Sequence, residues 1–239
     1  MPILSLQSVS KSFGALKVTD DVSFDLNAGE ALGIIGPNGA GKSTLFNLIT
    51  GNIAPDRGAV LIDGRDVTRL PPMQRVAAGI GRSFQIPQPF GGLSVYENLL
   101  VAARFGGATS AAEAPRFCMD ILSRTGLAAV AERPSGGLPL LQRKRLELAR
   151  AMATKPRVIL LDEIAGGLTD AECDELVGTI RAIHAEGTAI VWIEHVLHAL
   201  NSVVKRLMVL NFGRMLMIGA PDAVMASPEV KEIYLGIEA

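Results

Sequence analysis

Cysteine is scarce, with Cys118 and Cys173 the only two in 239 residues, and they lack CxxC spacing. That argues against a disulfide framework or a zinc site and suits a reducing compartment. A surplus of charge is also missing. With 23 Lys and Arg against 24 Asp and Glu, net charge is −1 and the pI near 6.3, so no global basic field recruits nucleic acid or anionic lipid. Any partner is chosen locally. No run approaches the about 18 uncharged apolar residues of a membrane span, and no basic segment at the N-terminus leads into an apolar one. These absences predict a cytosolic chain that does not itself cross a bilayer. No internal repeat or low-complexity tract is present. What is there is 49% hydrophobic with mean hydropathy +0.32, which points to some partner-covered surface. The length suffices for one large α/β domain or two small ones.

The stretch EALGIIGPNGAGKSTLFNLITG, residues 30–51, organises the rest. Gly36, Gly41, Lys42 and Ser43 satisfy G-x-x-x-x-G-K-[ST], with a strand-like apolar run before and a helix-like run after. Glycines let successive N–H groups turn inward, and the helix opening near Lys42 adds its positive end. Lys42 would reach the β- and γ-phosphates of a nucleotide, and the Ser43 hydroxyl would hold Mg²⁺.

Residues 3–28 read as extended, and AVLIDGRDV, 59–67, turns at Asp63-Gly64 between two short strands, giving an antiparallel sheet at one edge. Phe13, in the loop between the first two strands, either stacks on a base or is an ordinary half-exposed Phe; spacing does not choose. GIGRSF, 79–84, is a short strand leading to Gln85, a polar junction that could report phosphate occupancy or be a hydrogen-bonded loop residue. Ser94 and Glu97 form a capping box, and 91–155 reads as a helical insert in an α/β core. In the helix 142–156, Arg143, Lys144 and Arg145 crowd the first turn, where exposed cations oppose the helix dipole by about 0.3–1 kcal/mol each. A solvated basic face and a phosphate-facing one both fit.

RVILLDE, 157–163, is a continuous apolar run bounded by charge, as in a buried parallel strand. Ligands of such sheets lie beyond the strands' carboxyl ends, where Asp162 and Glu163 emerge. Asp162 would hold Mg²⁺ through its water shell, and Glu163 would orient the attacking water. Thr169 and Glu172 cap the helix 170–186, and TAIVWIEH, 188–195, is a further buried strand ending at His195, placed to meet the γ-phosphate and the water. His195, His198 and Glu194 lack a third partner for a metal site. Residues 206–219 form two strands turning through 211–214, and the tail is helical with caps at Asp222 and Ser227 or Pro228.

In this order the pieces resemble the ATP-binding subunit of ABC transporters over almost the whole chain. GPNGAGKST resembles Walker A, Gln85 the Q-loop, VILLDE Walker B with its glutamate, His195 the H-loop and Phe13 the base-stacking aromatic. SFGAL, FNLITG, GRSFQ, LSVYENLLVA, LLDEIAGGL, IEH and the closing YLG are similar to branched-chain amino acid importers, with a lipopolysaccharide export motor or a non-transport ABC ATPase as the alternatives. The resemblance implies a P-loop NTPase core of RecA type with an antiparallel β-subdomain, built from 1–90 and 156–239, and an α-helical subdomain at 91–155. It implies ATP held by Phe13, Gly36, Asn38, Gly39, Ala40, Gly41, Lys42, Ser43 and Thr44. Mg²⁺ would be held by Ser43, Gln85 and Asp162, with Glu163, His195 and Gln85 serving catalysis. Implied partners are a second ATP-binding subunit, transmembrane permease subunits and, indirectly, a periplasmic solute-binding protein, placing the chain on the inner face of the cell membrane; no nucleic acid is implied.

One motif departs. The LSGGQ register falls on Leu138, Pro139, Leu140, Leu141 and Gln142, while Ser135-Gly136-Gly137 lies four residues too early and reads as a preceding loop. Pro139 suits a first helical position. Lost are a hydroxyl and an N–H donor for a γ-phosphate held by the opposite subunit, together with the bare backbone that allows close approach. The expectation is slower hydrolysis at the site this segment closes, in a heterodimer with unequal sites.

Overall fold

The computed structural model describes residues 1–107 and 109–235; Gly236 of the closing YLG lies outside them. The first half of the chain runs β1 (Leu4–Phe13), β2 (Leu16–Leu26), β3 (Ala31–Ile35), α1 (Lys42–Thr50), β4 (Arg57–Ile62), β5 (Arg65–Asp66), α2 (Pro72–Ala77) and β6 (Ile80–Arg82). Three helices follow, α3 (Val95–Val101), α4 (Ala114–Arg124) and α5 (Leu140–Ala153). The remainder is β7 (Val158–Asp162), α6 (Asp170–Ala185), β8 (Ala189–Ile193), α7 (Leu197–Asn201), β9 (Arg206–Asn211), β10 (Arg214–Gly219), α8 (Pro221–Ala226) and α9 (Pro228–Leu235).

Two sheets result. The first is antiparallel in the order β2-β1-β4-β5, a sheet of its own rather than an edge of the larger one. The second has the order β10-β9-β3-β8-β7-β6, parallel from β9 to β6. Strands β3, β7 and β8 are buried along their whole length, which is why each reads as an unbroken apolar run. One face of this sheet packs Ile159, Leu161 and Trp192 against α3 to α6. On the other face Leu32, Ile34 and Leu160 meet α1 and the antiparallel sheet.

Helix boundaries follow local chemistry. Ser94 and Thr169 each close a reciprocal capping box with the Glu three residues on, satisfying N–H groups that the first turn cannot pair internally. Three expectations shift. β6 stops at Arg82 rather than at Phe84, because the last backbone bond to β7 is Ser83 N–H donating to Leu160. The helix predicted to stop at Pro156 ends at Ala153, since the residue before a proline is driven out of helical geometry. Asp222 lies inside α8, whose cap is Ala220, with Pro221 opening the helix.

Candidate active site

Strands β3, β6, β7 and β8 are mutually parallel, so their carboxyl ends deliver four loops to one edge of the sheet. The loop after β3 is glycine-dependent. A Cβ on Gly36 would stand 2.2 Å from the Leu210 carbonyl, and one on Gly41, at φ +99°, would stand 2.4 Å from that of Val18. No other residue fits either place. Gly41 caps α1 without any side-chain acceptor, an arrangement that offers first-turn N–H groups to an anion.

A cavity of about 310 Å³ opens over this loop, lined by residues 38–44 with Val18, Gln85 and Glu163. Lys42 is buried, and its Nζ donates to the carbonyls of Gly36 at 2.7 Å and Pro37 at 3.0 Å. Burial pushes its ammonium below the ordinary lysine range, while Glu163 and Asp162 pull it back up. A buried cation whose hydrogen-bond acceptors are neutral carbonyls suits a triphosphate, whose charged oxygens pair with it more strongly.

Glu163 sits one residue past β7 in left-handed backbone, φ +44°, with its N–H donating to Ile193 at 2.8 Å. Its carboxylate takes two donors: Gln85 Nε2 at 2.5 Å and the His195 Nε2–H at 2.8 Å. The three residues predicted to serve catalysis therefore meet one another. Asp162 is buried, and its Oδ2 accepts from Arg82 at 2.7 Å. Arg82 is braced in turn by Asn47 Oδ1 at 2.7 Å and lies about 5 Å from the rings of Phe46 and Phe84. Ser43, Gln85 and Asp162 share a second cavity of about 420 Å³. Hydroxyl, amide and carboxylate oxygens form a hard donor set that fits Mg²⁺. Among the described residues no cluster of three or more His, Cys, Asp and Glu side chains could hold a metal.

Phe13 stands apart. It ends β1 rather than lying in the loop, is half-exposed, lies outside the cavity lining, and carries the Lys11 ammonium 5.6 Å from its ring centre. The basic run on α5 is neither solvated nor phosphate-facing as a unit. Arg145 pairs with Glu175 at 2.9 Å, and Lys144 is buried. Ser135 is buried too, donating to the Phe90 carbonyl and accepting from Asn98; it closes a short turn in the helical layer. Pro139 is the cap of α5 rather than its first residue. Glu194 uses its two oxygens to accept the N–H groups of Ala165 and His195, each at 3.0 Å. A carboxylate between an apolar strand and a His was the available signal, but the Ala165 N–H that it also accepts lies 29 residues earlier in the chain.

A glycine-walled phosphate loop followed by a helix, with carboxylates at the end of β7 in the same parallel sheet, defines a P-loop nucleoside triphosphatase. The ABC transporter family pattern matches residues 19–166, and the chain belongs to that family, as an ATP-binding subunit. It is similar to BraF, the high-affinity branched-chain amino acid transport ATP-binding protein of Pseudomonas aeruginosa, at 33% identity over 98% of each chain. It is also similar to LptB, the lipopolysaccharide export ATP-binding protein of Haemophilus influenzae, at 31% identity over 99% of this chain and 98% of that one. Among solved structures, a nucleotide-free ATP-binding cassette from an ABC transporter superposes with TM-score 0.89 at 31% identity, covering 99% of this chain and 100% of the other.

Proposed function

We propose that this subunit hydrolyses Mg-ATP to drive an importer for branched-chain or related amino acids. The observation that carries the reading is the meeting of Lys42, Gln85 and Glu163 around one cavity over the glycine-rich loop, with His195 bonded to the Glu163 carboxylate. Lys42 would exchange its carbonyl partners for the β- and γ-phosphates. Glu163 would orient the attacking water, with Gln85 and His195 holding its carboxylate, and His195 would also meet the γ-phosphate. Ser43, Gln85 and Asp162 would hold Mg²⁺, which when bound neutralises charge gathering on the phosphates.

The chain would work with a second ATP-binding subunit on the inner face of the cell membrane, under transmembrane permease subunits fed by a periplasmic solute-binding protein. Phe84, Ile86 and Phe90, exposed beside Gln85, supply apolar surface for a permease to cover. Among the described residues no helix is long and apolar enough to cross a membrane. Near-neutral charge gives no support to a nucleic-acid partner. A lipopolysaccharide-type export motor is the second reading, favoured by the nearly equal identity to LptB.

Glu163→Gln is expected to bind ATP as the unchanged chain does while turnover falls by about 100-fold or more; turnover close to the original overturns the assignment. Uptake of labelled leucine by proteoliposomes holding the co-purified permease separates import from export.

A further inference from the structure

Lys144 is the anomaly left by the site. It lies in the helical layer, on α5, yet it is 3% exposed, and its Nζ donates to the Gln85 carbonyl at 2.7 Å and the Glu163 carbonyl at 3.2 Å. An ammonium has three N–H donors and no acceptor, and taking it out of water costs several kcal/mol unless it is well satisfied. Burial pushes its ammonium below the ordinary lysine range, while the charges of Glu194, Glu163, Asp162 and Glu147 favour the cation and partly offset this. Two more side chains continue the same helix face toward the loop after β6. Glu147 Oε1 accepts the Gln88 N–H at 3.1 Å, and Arg150 donates to the Gln88 carbonyl at 3.0 Å. Lys144 alone of these three reaches both Gln85 and Glu163.

We infer that Lys144 is a positioning residue which ties α5 to the backbone of Gln85 and Glu163 at once, so that the placement of the helical layer sets the geometry of the two groups that meet the reacting phosphate. The inference rests on the ATPase reading above. A shift of α5 lengthens a bond to Gln85, to Glu163 or to both, and the 2.5 Å Gln85–Glu163 contact is disturbed with it. Conversely, a phosphate that draws Gln85 toward itself pulls on α5.

Hydrogen exchange on the full chain, with and without the non-hydrolysable analogue AMP-PNP, reads this tie without turnover. In the unchanged protein the analogue is expected to alter exchange both in residues 83–90 and in α5. In Lys144→Met the α5 response is lost while analogue affinity stays within about threefold, and kcat falls about tenfold or more with KM little changed. Lys144→Arg, which keeps a cation and its donors, recovers most of both. Should Lys144→Met not fold, Lys144→Gln, with one uncharged donor group, carries the same measurements. An α5 response that survives in Lys144→Met, or one that Lys144→Arg loses as fully as Lys144→Met does, overturns the inference and leaves the ATPase reading standing. An unchanged protein that binds no ATP, or a Lys42→Ala variant that binds it equally well, overturns the parent reading instead.

Discussion

At Asp162 the carboxylate predicted to face a metal is met by a guanidinium, with both side chains nearly closed to solvent. Removing the cation strands a buried anion, so Arg82→Met is expected to lower stability by about 3–5 kcal/mol in urea unfolding, with Arg82→Lys recovering part. Equal stability of the Met variant would show that water reaches Asp162 freely. The place of Asp162 was legible because an apolar run broken by charge marks the end of a buried strand. Its partner was not, since Arg82 lies on a three-residue strand 80 positions earlier in the chain. Lys144 is similar. The clustered cations at the start of α5 were visible as an oddity, but three adjacent residues of a helix point three ways, and their surroundings are set by packing between distant segments.

Elements with local signals were legible: both capping boxes, the turn at Asp63-Gly64 and the buried strands β7 and β8, although these end at Asp162 and Ile193, so that Glu163 and His195 stand one and two residues past them. Elements held by remote groups were not. The last turn of α1 is closed by Arg75, from α2, which is 1% exposed and donates to the carbonyls of Leu48, Ile49, Thr68 and Leu70. Arg75→Ala leaves those acceptors without a donor and is expected to cost about 2–4 kcal/mol, with faster hydrogen exchange in α1. The antiparallel sheet has its own pH dependence. Asp56 accepts from Lys11 Nζ and from the Ser12 N–H, each at 2.8 Å, and these bonds hold its carboxyl below the ordinary value of 3.8. A lowered carboxyl value means stability that is present above 3.8 and fades as pH falls through the folded value. The gap between the unchanged chain and Asp56→Asn, followed by acid titration, is therefore expected to close below about pH 4.

On the scale of the whole molecule, the phosphate loop and the segment before α5 tell different stories. The loop retains its glycines, its lysine and its serine, and the end of the sheet gathers the groups around it. The segment before α5 instead has Leu138 buried in the helical layer and Pro139 as the cap, while the nearby Ser135 is taken up in holding Asn98 and Phe90. If two such cassettes face each other, the nucleotide held on this chain and the nucleotide covered by it meet unequal surroundings. Replacing the Walker B glutamate by Gln is then expected to cost more turnover in one subunit of the complex than in the other; equal losses would count against unequal sites.

Leu138 also has a consequence for any repair of that segment. Because its side chain is anchored in the apolar interior and Pro139 fixes the entry angle of the helix, restoring serine and glycine downstream would loosen the hinge on which they must be presented. A weaker grip on a facing nucleotide would then be a property of how the helix is mounted, and it would strengthen only when mount and contact residues change together.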